Sequence, residues 1–240
     1  MDTHIKKTAY YWLLGNTPTD KLPKRCLFLF GNPDLFHGER FFSLFNNVQK
    51  IGVFYYGKYN NTPICITTPK FGASITSLYI EVLGMTSVRK IMAIGYTGAL
   101  LHEMEIGQYF LPTSAIAQDG TTSSYFPEKN EFFPSHHSLE ILRQILLDSD
   151  CPFYEGTIIS IDALLLENPI MIKSFANKGY KAVDLETACL FALSSHLNLS
   201  VSALHIISDN QAAQLMDKNH IVKKTFPHLL HCALNALVQM

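Results

Sequence analysis

The run Lys181-Ala182-Val183-Asp184-Leu185-Glu186-Thr187-Ala188, with Ser208-Asp209-Asn210 about twenty residues later, decides how this chain is read. Side chains along a strand alternate faces, so Val183 and Leu185 would point one way and Asp184 and Glu186 the other. Ala188 to Leu193 is apolar at helical spacing, which places Glu186 at a strand-to-helix transition. Leu199 to Ile207 then forms a strand-like run rich in branched residues and stops at Ser208-Asp209. Two successive strands with acids at their carboxyl ends are what the ligand crevice of an α/β sheet looks like. The competing reading makes these acids solvated loop residues or helix N-caps.

The composition fits that picture. The chain has 240 residues, 48% of them hydrophobic and 16% charged, enough for one large α/β domain with a sizeable core. A net charge of −1 leaves no basic footprint for nucleic acid and no polybasic membrane patch. Cys26, Cys65, Cys151, Cys189 and Cys232 are far apart and mostly in apolar runs, as expected of buried thiols in a reducing compartment. No CxxC pair accompanies them, and His136-His137 has no partner at metal-ligand spacing, so no metal site is expected. The apolar run Tyr10 to Leu14 is too short for a signal sequence, and no run is long enough to span a bilayer. A soluble, cytoplasmic protein is expected.

Strand and helix signals alternate along the rest. Arg25–Phe30 reads as a strand ending in the turn Gly31-Asn32-Pro33-Asp34, and 36–45 as a helix. Residues 51–59 and 63–68 read as strands joined by Asn60-Asn61. Ala73 to Leu83 reads as a helix whose first N–H groups could face a phosphate. Lys90 to Ile94 runs into a glycine turn, Gly95-Tyr96-Thr97-Gly98; Gln108 to Ala117 is a further strand. The aromatic segment from Asp119 to Pro134 reads as a long functional loop. A helix at 139–147, a strand at 156–161, a loop at 162–168 and a helix at 169–178 lead to the opening run. Ile221–Val238 closes the chain as a helix that Pro227 should kink or break. This alternation predicts a sheet layered by helices.

Several of these segments together resemble the nucleoside phosphorylase family, which includes purine nucleoside phosphorylases, uridine phosphorylases and methylthioadenosine nucleosidases. Gly31-Asn32-Pro33-Asp34 resembles its Gly-Asp-Pro turn, and Ile94-Gly95-Tyr96-Thr97-Gly98-Ala99 its Gly-Thr-Thr-Gly-Ala segment. Ile106-Gly107-Gln108 resembles Val-Gly-Asp, and Asp119-Gly120-Thr121-Thr122 the substrate loop. Ser160-Ile161-Asp162, Val183-Asp184-Leu185-Glu186 and Ser208-Asp209 resemble Ser-x-Asp, Glu-Met-Glu and Ser-Asp. The matches keep the family's order over roughly residues 10 to 240. The resemblance implies a single domain over 1–240, with 1–24 as an N-terminal extension and a central mixed, twisted β-sheet flanked by helices.

It also implies cleavage of a nucleoside N-glycosidic bond. The ribose becomes oxocarbenium-like as the bond breaks, so nearby acids help electrostatically and the leaving base needs a proton. By resemblance Glu186 grips the ribose hydroxyls and Asp209 meets the purine N7, making these the two catalytic acids. Gly31, Tyr96, Thr97, Gly98, Leu164, Asp184, Leu185 and Ser208 would line the substrate. Leu185 and Leu164 replace a methionine and a stacking aromatic; Tyr125, Phe126 or Tyr96 could supply apolar cover instead. Asp209 favours a purine, and the pyrimidine-reading Gln and Arg positions are Asn168 and Ile170.

The anion site departs from the family, whose phosphate-binding arginines become Leu35 and Ala93. A third, donated by a neighbouring subunit, becomes Lys50; Lys50, Lys70 or Arg40 could compensate. A nucleosidase using water is the alternative, although the water-activating glutamate also gives way to Phe36, with Asp34 nearest. A weakened nucleoside-binding protein is the other alternative. No cofactor is expected beyond phosphate as co-substrate. The family's habit implies a homo-oligomer, a dimer or a hexamer built from dimers, with Trp12 near a neighbouring site, in the core or at an interface.

Overall fold

The computed structural model describes residues 4–31, 41–149, 151–217 and 220–240. Its helices are α1 (His4–Leu14), α2 (Ala73–Gly84), α3 (Gly120–Tyr125), α4 (His136–Asp148), α5 (Pro169–Asn177), α6 (Thr187–His196) and α7 (Ile221–Gln239). The strands are β1 (Arg25–Leu29), β2 (Asn46–Ile51), β3 (Phe54–Tyr59), β4 (Thr62–Thr67), β5 (Lys90–Ala99), β6 (Tyr109–Gln118) and β7 (Glu131–Phe132). They continue as β8 (Phe153–Ile161), β9 (Ala182–Asp184), β10 (Ser200–Asn210) and β11 (Leu215–Met216).

Strand β1 shows why the sheet is covered on both sides. Every residue after Arg25 is buried, and a strand buried on both faces reads as a continuous apolar run. Cys26 and Phe28 pack into one core with Ile80 and Val82 of α2 and Leu190 and Phe191 of α6. Leu27 and Leu29 pack into another with Leu142 of α4 and Leu230 and Leu234 of α7. Three layers result, helix on sheet on helix. Among the described residues, no helix is long and apolar enough to cross a membrane.

The sheet is mixed, in the order β11-β10-β6-β8-β9-β5-β1-β4-β3-β2, with β7 on β6 and a further pairing of β10 with β5. That further pairing closes β5, β10, β6, β8 and β9 into a ring. Strand β10 runs parallel to β5 over its whole length, from Ser200 opposite Lys90 to Asn210 opposite Ala99. The other edge of β5 is shared: β1 takes Lys90 to Ile94, and β9 takes Gly98 and Ala99. Between them the sheet forks, and a cleft opens there.

Asn60 and Asn61, at φ 47° and 61°, join β3 to β4 in the left-handed conformations that a two-residue hairpin needs. Other expectations need correction. The run 51–59 is two strands, broken at Gly52, where a Cβ would sit 2.0 Å from the Leu13 carbonyl oxygen. Gly95-Tyr96-Thr97-Gly98 is the end of β5 rather than a turn. Its glycines serve close packing, since a Cβ on Gly95 would lie 3.0 Å from both His205 Nδ1 and the Phe30 ring. Gly95→Ala is therefore expected to cost about 1–3 kcal/mol by overpacking, read as a lower denaturation midpoint. Asp119 to Pro134 is not one loop: Asp119 is buried and caps α3, accepting from Thr122 N at 2.6 Å, and β7 follows. Helix α7 continues through Pro227 because Phe226, Leu229 and Leu230 are buried around it. Of the helix expected at 36–45, Phe41 and Phe42 are helical; residues 36–40 lie outside the described part, as do Asn32, Pro33, Asp34 and Leu35.

Candidate active site

Three strands frame the place where the catalytic candidates lie. Gly98 of β5 stands opposite Val183 of β9 on one side and Asp209 of β10 on the other. Between Ile207 and Asp209 the β10 register slips, Ile207 facing Thr97 and Asp209 facing Gly98, so Ser208 is an extra, bulged residue. Bulges of this kind re-aim side chains beside functional sites. A Cβ on Gly98 would come within 3.0 Å of Asp209 Oδ2, so only glycine gives the carboxylate its room.

The cleft at the fork encloses about 600 Å³ including its mouth, within the range of small-molecule sites. Of the residues that the resemblance puts at the substrate, Tyr96, Thr97, Gly98, Leu164, Asp184, Leu185, Glu186, Ser208 and Asp209 line it. Gly31 does not; its N–H donates to the Pro69 carbonyl at 3.2 Å. Phe30, Phe71, Glu167, Val183 and Gln211 line the cleft as well. Phe30 and Phe71 supply aromatic walls in place of Tyr125 and Phe126, since Phe126 packs on Phe132 and His196 instead. Trp12 is 69% exposed on α1, which excludes a core role.

Each acid has a distinct environment. Asp209 Oδ1 accepts from Ser208 Oγ at 2.7 Å and Oδ2 from Gln211 Nε2 at 2.6 Å, which fixes its orientation. Glu186 is not on a strand; β9 ends at Asp184, and Glu186 is the N-cap residue of α6. Its Oε1 accepts from Gly72 N at 2.6 Å and its Oε2 from Leu185 N at 3.3 Å. One of the N–H groups at the start of α2 expected to face a phosphate, that of Gly72, is thus taken by a carboxylate of the chain itself, an equally good anionic partner for a helix N-terminus. Burial, and then the nearby Asp184, push the Glu186 carboxyl well above the usual range.

Asp184 borders the cleft, but its carboxylate turns inward. Oδ1 accepts from Ser160 Oγ at 2.5 Å; Oδ2 accepts from Thr187 N at 3.0 Å and from the Thr187 hydroxyl. Ser160 Oγ in turn accepts from Ala188 N at 2.9 Å, and the Thr187 hydroxyl lies 2.8 Å from His205 Nε2. This network ties β8, β9, α6 and β10 together behind Glu186. Thr97 is similarly engaged, donating from Oγ1 to the Val183 carbonyl at 2.7 Å. Burial pushes the Tyr96 phenol up to about 12, so it stays neutral.

Glu167 has a carboxyl raised from 4.5 to about 7, by burial first and then by the charge of Asp209. A carboxyl that holds its proton more tightly folded than unfolded adds stability that is complete below about 4.5 and lost as pH rises through about 7. Glu167→Gln is therefore expected to flatten that loss and to be more stable than the wild type at about pH 8, as thermal melts across that range would show.

Cationic side chains are scarce here. No Lys, Arg or His lines the cleft among the described residues. Lys70 is exposed, and Lys50 is exposed on β2 with Nζ 5.9 Å from the Tyr55 ring centroid.

Residues 40–233 match the sequence model of the phosphorylase superfamily. A guanosine phosphorylase from Halorubrum lacusprofundi is 26% identical over 155 residues, 65% of this chain but only 64% of that relative's length. A DeoD-type purine nucleoside phosphorylase from Bacillus cereus is 20% identical over 199 residues, 81% of this chain and 83% of its own. The fold is shared with uridine phosphorylase from Vibrio fischeri ES114, at a TM-score of 0.82 and 19% identity over 92% of this chain and 93% of that one. With a sequence match across most of its length and acids gathered at the fork of the same fold, this protein belongs to the phosphorylase superfamily.

Proposed function

We propose that the cleft cleaves the N-glycosidic bond of a purine nucleoside and passes the pentosyl group to phosphate. The observation that carries this reading is the placement of Asp209 and Glu186 in one cleft, Asp209 beside Gly98 on β10 and Glu186 just past the end of β9. Glu186 lies against the sugar, where its carboxylate stabilises the charge developing at C1′. Asp209 supplies the proton to N7 as the C1′–N9 bond breaks and its electron pair moves into the base. Phe30 and Phe71 flank the substrate with apolar surface. Asp184, Ser160 and Thr187 act through Glu186, by fixing the start of α6. The relatives named for guanosine and purine nucleosides support the purine class.

A second reading makes water the acceptor. One observation favours it: among the described residues the cleft has no cationic wall, and Gly72 N–H is already bonded to Glu186. Base release measured with and without phosphate separates the readings. Release that rises with phosphate and yields a sugar 1-phosphate supports the first, and phosphate-indifferent release of free sugar supports the second. No release from any nucleoside would leave a binding protein. Gel filtration joined to light scattering tests the homo-oligomer that we propose alongside.

A further inference from the structure

We propose that Glu167 reads the substituent at the purine six-position and selects a 6-amino base over a 6-oxo base. This rests on the purine reading above. Glu167 follows the short 3-10 turn Leu164–Leu166, and its backbone N–H donates to the Leu164 carbonyl at 3.2 Å, which holds it at the cleft wall. The other acids of the cleft have their oxygens engaged: Asp209 by Ser208 and Gln211, Glu186 by Gly72 and Leu185, Asp184 by Ser160 and Thr187. Among the described residues the Glu167 carboxyl has no such donor, and its electrostatic neighbour is Asp209. A half-buried carboxyl without a donor gains most from a ligand N–H.

The chemistry of the purine edge then decides what it meets. N7 and the six-substituent are neighbours on one edge of the ring; a 6-amino group donates there, whereas a 6-oxo group only accepts. With Asp209 at N7, a carboxyl beside Asp209 faces the six-position. Ionised, it accepts from the amino group and repels the oxo oxygen. Protonated, it can donate to the oxo oxygen, so the preference should fade as pH falls. Burial and Asp209 bring that proton on near neutrality. The charged or titratable groups around the cleft are Asp209 on β10, Asp184 at the end of β9, Glu186 just past it, and Tyr96 on β5. Changes in Glu186, on the sugar side, act on both bases alike and cancel in the ratio of affinities, whereas Asp209 enters that ratio through its charge on Glu167.

Calorimetry of free adenine and free hypoxanthine with the wild type and Glu167→Gln tests this, with base release from adenosine and inosine run in parallel. The wild type is expected to bind adenine at least about tenfold more tightly near pH 8, with the ratio shrinking severalfold near pH 6. Glutamine both donates and accepts, so the variant should give a ratio near one that ignores pH. Equal affinities in the wild type, or a ratio and pH profile unchanged in Glu167→Gln, would overturn the inference even where both nucleosides are cleaved. Selective base binding without cleavage would remove the reaction and sustain the inference. Failure to bind either base would overturn both.

Discussion

Asp209→Asn is expected to slow base release by about 10²- to 10⁴-fold while leaving the fold intact, because it removes the proton and not the shape. The two donors on Asp209 can adapt to the amide. Ser208 Oγ can rotate to accept from it, and Gln211 can turn its own amide about. Neither the β10 bulge nor the room left by Gly98 depends on the charge. Single-turnover base release, paired with a thermal melt, reads the two consequences separately. A melt near that of the wild type with the predicted rate loss assigns the proton to Asp209. An unchanged rate would withdraw that role and make Glu167, the neighbouring acid of raised proton affinity, the next to replace.

The same geometry shows which parts of the site could be read in the chain. Asp184, Glu186 and Asp209 end apolar runs, and an acid at such a boundary is visible without coordinates. Strand β1 and the Asn60-Asn61 hairpin were legible for a similar reason, since continuous burial and left-handed turn residues leave local marks. What the carboxylates bond to is not local. Glu186 reaches Gly72 across 114 residues, and Ser160 reaches Asp184 across 24. Two-residue alternation predicted that Asp184 and Glu186 would share a face; the strand instead ends between them, and one faces the packed network while the other, at the N-cap position of α6, turns its carboxylate to Gly72 N. Gly95 and Gly98 looked like a turn because sequence cannot tell a glycine needed for its backbone angle from one needed for its missing side chain. Glu167 sits in Leu164-Leu165-Leu166-Glu167-Asn168, where a single acid next to a helix N-cap carries no pattern at all. Its importance comes only from where β10 places Asp209. Phe71 was obscured in the same way, being 56% exposed and one residue before the start of α2's cap.

Glu186→Ala should be at least as damaging to turnover as Asp209→Asn, and for a further reason. Removing an electrostatic partner of the transition state typically costs about 10²- to 10³-fold. The alanine also strands the part-buried Gly72 N–H, which among the described residues donates to Glu186 Oε1, at a cost of at most about 1–3 kcal/mol. Glu186→Gln separates the two effects. Its side-chain oxygen can still accept from Gly72, so the melt should return most of the way to that of the wild type, yet its neutral amide cannot balance a cationic sugar. The wild type also has a carboxyl whose proton affinity is raised by burial and by Asp184, so its ionised fraction, and with it this part of the rate, should grow as pH rises. The glutamine variant should lack that acidic limb. Rates near wild type in Glu186→Gln would reduce Glu186 to a cap that joins α6 to α2. A restored melt with a lost rate and a lost limb would require its charge at the sugar, because shape and the 2.6 Å bond from Gly72 N are the features the two side chains share.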